Sequence, residues 1–321
     1  MNWRYKARLQ NIIAALPFSD AIYYAAQRCA GDLRKSRFDP MEWFQVTGRA
    51  LERLRSQGFS IAGKNVLEIG TGRALGVPTA LWLCGANRTV TVDLNRYLSP
   101  ALVLMCNRYL AQNAHKVREL WAGSLDDKLF QDRMRQLQGF SGGMDSFLRL
   151  IDTEYLAPAD ARHLDIADNS FDLHFSYAVF EHVPAPEISA ILKEAKRLLR
   201  PGGLLLHSID LSDHFAYGDD SITKINFLQF SDQQWSRWAG NQYMYHNRLR
   251  ATDVFKLFED AGVRIARKGE TLDERSLEAL KRGFSLDSQF VGAAPEQLAI
   301  TNVSVMGHFA DPEKTDATGV Q

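Results

Sequence analysis

The feature that most constrains the fold is a short apolar segment, residues 65–69, followed directly by a glycine loop and an apolar run. Gly70 and Gly72 allow the backbone to turn tightly and allow a ligand to approach the main chain. This order of strand, glycine turn and helix is typical of α/β folds that bind ligands beyond the ends of their strands. It predicts a ligand site at the carboxyl edge of a sheet.

Strand-like and helix-like segments alternate after this loop, which favours a parallel sheet with right-handed crossovers. The further strands are predicted at residues 89–92, 147–155, 171–176, 204–209, 263–268 and 299–309. Helices are predicted at residues 3–30 with a break near Pro17, and at 40–57, 75–84, 98–120, 125–137, 187–199 and 252–261. We therefore predict an α/β fold with a Rossmann-like, seven-stranded, mostly parallel sheet whose final strand is antiparallel.

The predicted strands divide the chain into five parts. They are a helical N-terminal cap (1–60), a cofactor-binding core (61–210), an insert or lid after strand five (211–250), the last helix and strands (251–310) and a flexible tail (311–321). The stretch 98–146 is longer than a simple crossover needs. It predicts either a dimer surface or an additional helical layer, and the sequence favours neither.

Composition narrows the range of partners and locations. The chain has 38 basic and 38 acidic side chains, and this balance disfavours a nucleic-acid partner. The apolar stretches are too short to span a bilayer, no secretory signal is evident, and the three cysteines lack metal-ligand spacing. We therefore expect a cytoplasmic protein. The sequence does not indicate its oligomeric state.

The first helix permits two interpretations. Arg4, Lys6 and Arg8 alternate with apolar residues, as in a basic helix that makes peripheral membrane contact. The alternative, which we favour, is a lid or packing helix over the active site.

Two acidic residues next to the glycine loop indicate the chemistry of the ligand. The carboxylate of Glu68 would repel the pyrophosphate of a dinucleotide, whereas it favours a cationic ligand. Asp93 follows the second strand, where a carboxylate can accept hydrogen bonds from both hydroxyls of a ribose. Asp93 suits a nicotinamide dinucleotide and a sulfonium nucleoside equally, so Glu68 is the residue that distinguishes them.

Several motifs between residues 65 and 209 resemble those of class I S-adenosylmethionine (SAM) dependent methyltransferases. They are residues 66–72, Asp93, 160–161, 169–173, 180–183 and 198–203. The resemblance implies SAM as the cofactor and S-adenosylhomocysteine (SAH) as its product. The implied cofactor-binding residues are Glu68, Gly70, Thr71 and Gly72 around the methionine part, Asp93 and Leu94 at the ribose, Asp160 and Ala161 at the adenine, and Tyr177 and Ala178 beside the cofactor. The layout is also similar to methyltransferases of bacterial surface-glycan and secondary-metabolite pathways.

The methyl acceptor is expected beyond strands four and five. Asp210, His214 and His246 are predicted to face the methyl position, with one histidine as general base and His182 as another candidate. His207 fits a role at the acceptor site and a structural role in the buried core equally well.

We expect no metal, although Asp210, Asp213 and His214 have a spacing that would allow one. The first acceptor hypothesis is a sugar hydroxyl, and the second is a hydroxyl or carboxyl of a small metabolite. Two other classes stay open: a nicotinamide-dependent oxidoreductase and a non-catalytic SAM-binding protein.

Overall fold

A computed structural model of the chain describes residues 1–29 and 39–310. The predicted tail, 311–321, and the last residue of the first predicted helical segment, Ala30, lie outside the described residues. The α-helices of the described part are α1 Trp3–Ala14, α2 Ser19–Cys29, α3 Met41–Arg55, α4 Gly76–Leu83, α5 Pro100–Gln112, α6 Ala114–Trp121, α7 Asp127–Gln138, α8 Met144–Leu150, α9 Ala185–Leu198, α10 Asp232–Ala239, α11 Ala251–Asp260, α12 Glu274–Lys281 and α13 Pro295–Leu298.

Seven strands form one sheet in this part of the chain. They are β1 Asn65–Ile69, β2 Arg88–Val92, β3 Thr153–Leu156, β4 Phe171–Tyr177, β5 Leu199–Asp210, β6 Val263–Leu272 and β7 Ile300–Phe309. Their order is β3-β2-β1-β4-β5-β7-β6. Strands β1 to β5 pair in parallel, and β7 runs antiparallel to both of its neighbours. The predicted Rossmann-like sheet with an antiparallel final strand is confirmed.

The third strand is shorter than predicted. Residues 147–155 were expected to be one strand, but helix α8 extends to Leu150 and β3 begins only at Thr153. Asp152 between them has a left-handed backbone, with φ +47°. Phe147 and Ile151 are buried on one side of the helical turn, a spacing of four that a helix also satisfies. The apolar run alone therefore did not distinguish the two structures.

The predicted helix 98–120 is divided into α5 and α6 at Asn113. Asn113 caps the end of α5, because both its backbone N–H and its side-chain amide donate to the Tyr109 carbonyl oxygen, each at 2.9 Å. Val103, Leu110 and Val117 from this stretch join the same buried cluster as the β1 residue Val66. This packing is that of an additional helical layer, one of the two alternatives for residues 98–146.

The insert after β5 packs against the N-terminal helix. Trp3 of α1 lies in a buried aromatic cluster with Phe215 and Trp235, and its backbone N–H donates to Asp219 Oδ2 at 2.7 Å. Most of the outward apolar face of α1 stays exposed, with Tyr5 and Ile12 67 % and 61 % accessible. Helix α1 therefore covers the insert with one face only. Among the described residues, no helix combines the length and apolar character needed to cross a bilayer.

Candidate active site

The glycine loop connects β1 to α4 and touches the segment that follows β4. Gly70 and Gly72 have φ of +86° and +66°, a region that L side chains rarely adopt. A Cβ on Gly70 would also lie 2.3 Å from Cγ2 of Val179. Glycine at position 70 is thus required both by backbone conformation and by space. The contact brings the loop and the end of β4 together.

Asp93 fixes the loop from the end of β2. Its Oδ2 accepts a hydrogen bond from the Gly72 backbone N–H at 3.0 Å. Burial raises the pKa of Asp93 to about 7, although the bonds from Gly72 and Thr71 oppose the shift. Only Oδ2 is used by the loop backbone, so the other carboxylate oxygen can accept from a ligand hydroxyl.

Glu68, which is separated from Gly70 of the loop by one residue, is buried. Its side chain is 4 % exposed, and Oε2 accepts from the Thr91 hydroxyl at 2.6 Å. Thr91 is in turn 2.6 Å from the Thr71 hydroxyl. Burial raises the pKa of Glu68 to about 8, and Asp93 adds to the shift. The carboxylate that the sequence predicts is therefore mostly protonated at neutral pH in the ligand-free chain, and a cation above the loop would favour its ionised form.

The predicted ribose and adenine residues lie at one end of this loop. Leu94 is 66 % exposed directly after Asp93, and the Asp93 carbonyl accepts from the Ala159 N–H at 2.9 Å. Asp160 is next in sequence and is held by Arg162, whose Nη2 lies 2.6 Å from Oδ2. The hydrogen bonds from Arg162 lower the pKa of Asp160. Asp160 and Ala161, both partly accessible, therefore lie near Asp93, and their contact with an adenine stays a prediction.

Helix α2 lies over the other end of the loop. The Arg73 guanidinium carbon is 4.4 Å from the ring centroid of Tyr24 and 5.2 Å from that of Tyr97. The Tyr24 hydroxyl is 3.1 Å from Ser99 Oγ. Arg73 is bulky for a glycine loop, and this aromatic stacking explains its presence. The contact could not be identified from the sequence, because α2 is far from the loop along the chain.

Tyr177 and Ala178 end β4 between the loop and the acceptor side. Ala178 has φ +52°, and its N–H donates to the Ser208 carbonyl at 2.9 Å. A non-glycine residue in this region carries strain, which structures tend to keep at binding sites. Both residues lie at the carboxyl edge, where the resemblance places them; whether they contact the cofactor stays a prediction.

The four predicted acceptor-side residues meet in one cluster beyond β4 and β5. The His214 ring is stacked on His246, with centroids 4.8 Å apart, and is 5.0 Å from the ring of His182. His214 Nε2 lies 3.4 Å from Asp210 Oδ2, and the Tyr217 hydroxyl donates to the same oxygen. Burial opposes ionisation of Asp210, but the contacts from His214 and Tyr217 outweigh it and lower its pKa to about 2.

A buried carboxyl to which the sequence alone assigned no role completes this cluster. Glu181 is 1 % exposed, and burial raises its pKa well above the usual value. Its side chain lies within 4.8 Å of ligand atoms of His182 and His214. The signal was present, because Glu181 and His182 are adjacent and directly follow β4. The two residue types alone do not show that Glu181 is buried while His182 is exposed.

Two further hypotheses drawn from the sequence are resolved by burial of the side chains. Asp213 does not join Asp210 and His214: it is fully buried and accepts from Asn226 Nδ2 at 2.8 Å, so the metal triad that their spacing would allow is wrong. His207 is a core residue, fully buried, with Nδ1 2.7 Å from Ser176 Oγ.

Comparison with known proteins gives one family match. Residues 143–207 match the family model described as a methyltransferase domain. This segment runs from α8 through β3, β4 and α9 into β5, and the glycine loop lies outside it. None of the curated proteins compared with the chain matches it.

Solved structures resemble the chain at low sequence identity. A SAM-dependent methyltransferase of Methanosarcina mazei has 16 % identity and a TM-score of 0.42, covering 80 % of this chain and 96 % of its own. The magnesium protoporphyrin IX methyltransferase of Synechocystis, solved with SAH, has 14 % identity and a TM-score of 0.46, covering 95 % and 99 %. A cyclase has 14 % identity and a TM-score of 0.41, covering 82 % and 81 %. The domain match, on a sheet of this order, indicates S-adenosylmethionine as the cofactor.

Proposed function

We propose that the chain transfers the methyl group of SAM to an oxygen atom, a hydroxyl of a glycan or of a small molecule. The observation that carries the proposal is the position of Val179 between two polar sites. The Val179 side chain packs against Gly70 of the glycine loop. Glu181 and His182, which belong to the acceptor-side cluster, follow Val179 within three residues. Three residues span at most roughly 10 Å, so a cofactor on the loop and an acceptor at the cluster would be neighbours.

The reaction is an in-line displacement. The acceptor O–H gives up its proton, an oxygen–methyl bond forms, the sulfur–methyl bond breaks, and the sulfonium leaves as the neutral thioether of SAH. Orientation of the two substrates can supply on the order of 7 to 11 kcal/mol of the barrier. A group that accepts the proton adds roughly a hundredfold to ten-thousandfold in rate. The cluster of three histidines offers acceptors for this proton.

The acceptor class follows from the chemistry of the cluster. Imidazole, carboxylate and phenol groups bind hydroxyls, and the aromatic insert can exclude water from the transfer. A sugar hydroxyl is the first candidate and a metabolite hydroxyl the second. We further propose, on the sequence arguments alone, a cytoplasmic location and a lid or packing role for α1 in preference to a peripheral membrane contact.

Substitution of the predicted base tests the proposal. His214→Ala and His246→Ala should lower methyl transfer by about a hundredfold or more at nearly unchanged SAM affinity. His115→Ala, an exposed histidine on α6, is the matched control. Turnover is measured against a panel of glycan and small-molecule hydroxyls, with SAM binding by calorimetry and folding by thermal melt. Near-normal turnover in both variants would mean that the two histidines are structural.

The other two classes predict different results in the same experiment. A nicotinamide-dependent oxidoreductase would bind NADH instead of SAM. A non-catalytic SAM-binding protein would bind SAM but release no SAH with any acceptor.

A further inference from the structure

The acceptor-side cluster contains buried polar atoms that the described residues leave without a hydrogen bond. Glu181 Oε2 and His246 Nε2 have no hydrogen-bond partner among the described residues, and the buried His214 Nε2 has only a long contact, 3.4 Å, to Asp210 Oδ2. Glu181 and His246 are 1 % and 3 % exposed, so bulk water does not solvate them. Unsatisfied polar atoms at such depth are rare in native proteins, and each needs a physical explanation.

The hydrogen bonds of two histidines determine which nitrogen of each ring carries no proton. His182 Nδ1 lies 2.9 Å from the Tyr245 carbonyl oxygen, and His246 Nδ1 lies 2.9 Å from the Met244 carbonyl oxygen. A carbonyl only accepts, so Nδ1 of each neutral ring carries the proton and Nε2 presents a lone pair. Metal-ligating histidines commonly have this arrangement, in which a backbone carbonyl fixes the ring and its tautomer.

The two carboxyls of the cluster add negative charge at the same place. Asp210 Oδ2 lies 3.4 Å from His214 Nε2, and the Glu181 carboxyl lies within 4.8 Å of a ring nitrogen of the same histidine. The one hydroxyl seen to donate within the described cluster, that of Tyr217, is bound to Asp210. A cation bound here would accept lone pairs from several of these groups at once and would lie beside two carboxyls, which favour it electrostatically.

We propose that Glu181, His182 and His214 bind one divalent transition-metal ion, with His246 and Asp210 bordering the site. Ligand atoms of the three residues lie within 4.8 Å of one another. Ligand atoms about 2.1 Å from a tetrahedral zinc ion lie about 3.4 Å apart, so the three ligand atoms have to approach one another by at most about 1.4 Å. Side-chain rotations of the three residues, of which His182 lies at the exposed mouth, would close that gap. Two imidazoles and one carboxylate favour zinc, iron or manganese over magnesium.

The role of the ion deepens the proposed function and rests on it. Three protein ligands leave a coordination position open, as catalytic zinc sites do. An acceptor hydroxyl bound there would lose its proton more readily, because a metal ion lowers the pKa of a bound oxygen. Metal binding itself requires neither SAM nor acceptor, so the two proposals can fail separately.

The test is a zinc titration of the full chain after treatment with EDTA, followed by calorimetry without SAM. We expect one Zn²⁺ per chain, no comparable binding of Mg²⁺, and a rise in melting temperature with Zn²⁺. His182→Ala and Glu181→Gln should weaken binding at least about tenfold to a hundredfold. His115→Ala should bind as the wild type does.

Absence of stoichiometric zinc binding would overturn the inference, and so would equal binding by His182→Ala and the wild type. Glu181 is buried and its substitution can impair folding, so the exposed His182 decides the matter if Glu181→Gln does not fold. Zinc binding without any SAM binding would instead contradict the proposed function and leave the metal site standing.

Discussion

Asp93 joins the cofactor loop to the sheet, and its replacement gives the sharpest prediction at the residue scale. Asp93→Ala removes the carboxylate that we predict accepts from the ribose, an interaction worth roughly 1.5 to 3 kcal/mol. SAM affinity should therefore fall about tenfold to a hundredfold in calorimetry, with little change in secondary structure. Asp145→Ala, exposed on α8, is the control. Unchanged SAM affinity in Asp93→Ala would remove this residue from the site.

The raised pKa values of Asp93 and Glu68 give a second prediction at this scale. The values of about 7 and about 8 belong to the ligand-free chain. Hydroxyl donors and a cation favour the ionised carboxyls, so SAM binding should release protons. Affinity should rise between about pH 5.5 and 7.5 by up to about tenfold per pH unit for each group. Calorimetry over that range tests this, and Asp93→Asn should reduce the slope. A flat profile would contradict the account.

The same two carboxyls affect the stability of the ligand-free chain in the opposite direction. Each has a pKa in the folded state above its ordinary value, so the folded state holds more protons than the unfolded state between about pH 4 and 8. Their contribution to the free energy of unfolding therefore decreases as pH rises through that window.

The sequence predicts which residues lie at the strand ends better than it predicts what surrounds their side chains. Gly70, Gly72 and Asp93 were identified because their positions follow from local sequence and from the sheet edge. The burial of Glu68, and of Glu181 beside His214, depends on side chains from several segments of the chain. Local patterns carry no signal for such contacts.

At the scale of elements, the site geometry predicts that SAM binding restricts the motion of helix α2. Its Tyr24 stacks on Arg73 of the glycine loop and contacts Ser99. A cation–π contact and a hydrogen bond are each worth about 1 kcal/mol. SAM should slow hydrogen exchange in residues 19–29, and Tyr24→Ala should speed it about tenfold. Tyr24→Phe keeps the stacking and should have a smaller effect. If hydrogen exchange in α2 does not depend on SAM, α2 does not close over the bound cofactor.

Element order could be predicted more reliably than element bounds. The parallel order follows from alternating patterns and right-handed crossovers, which leave few alternatives. Short apolar runs fit either helix or strand, and α8 before β3 is the case in which the wrong one was chosen.

At the scale of the whole molecule, helices pack on the sheet in two buried clusters, and an aromatic insert with its own cluster follows β5. The sheet brings the glycine loop and the histidine cluster to its carboxyl edge, although the cluster draws on segments more than 60 residues apart. The sequence predicted the insert as residues 211–250. The insert packs against Trp3 of α1, which is far away in the sequence. Local patterns carry no signal for such a contact.

The central claim is that this edge binds a sulfonium nucleoside. Calorimetry of the purified chain with SAM, SAH and NADH tests it most directly. The account predicts that SAM and SAH bind at micromolar concentration, one per chain, and raise the melting temperature, while NADH does not. Binding of NADH with no binding of SAM or SAH would contradict it.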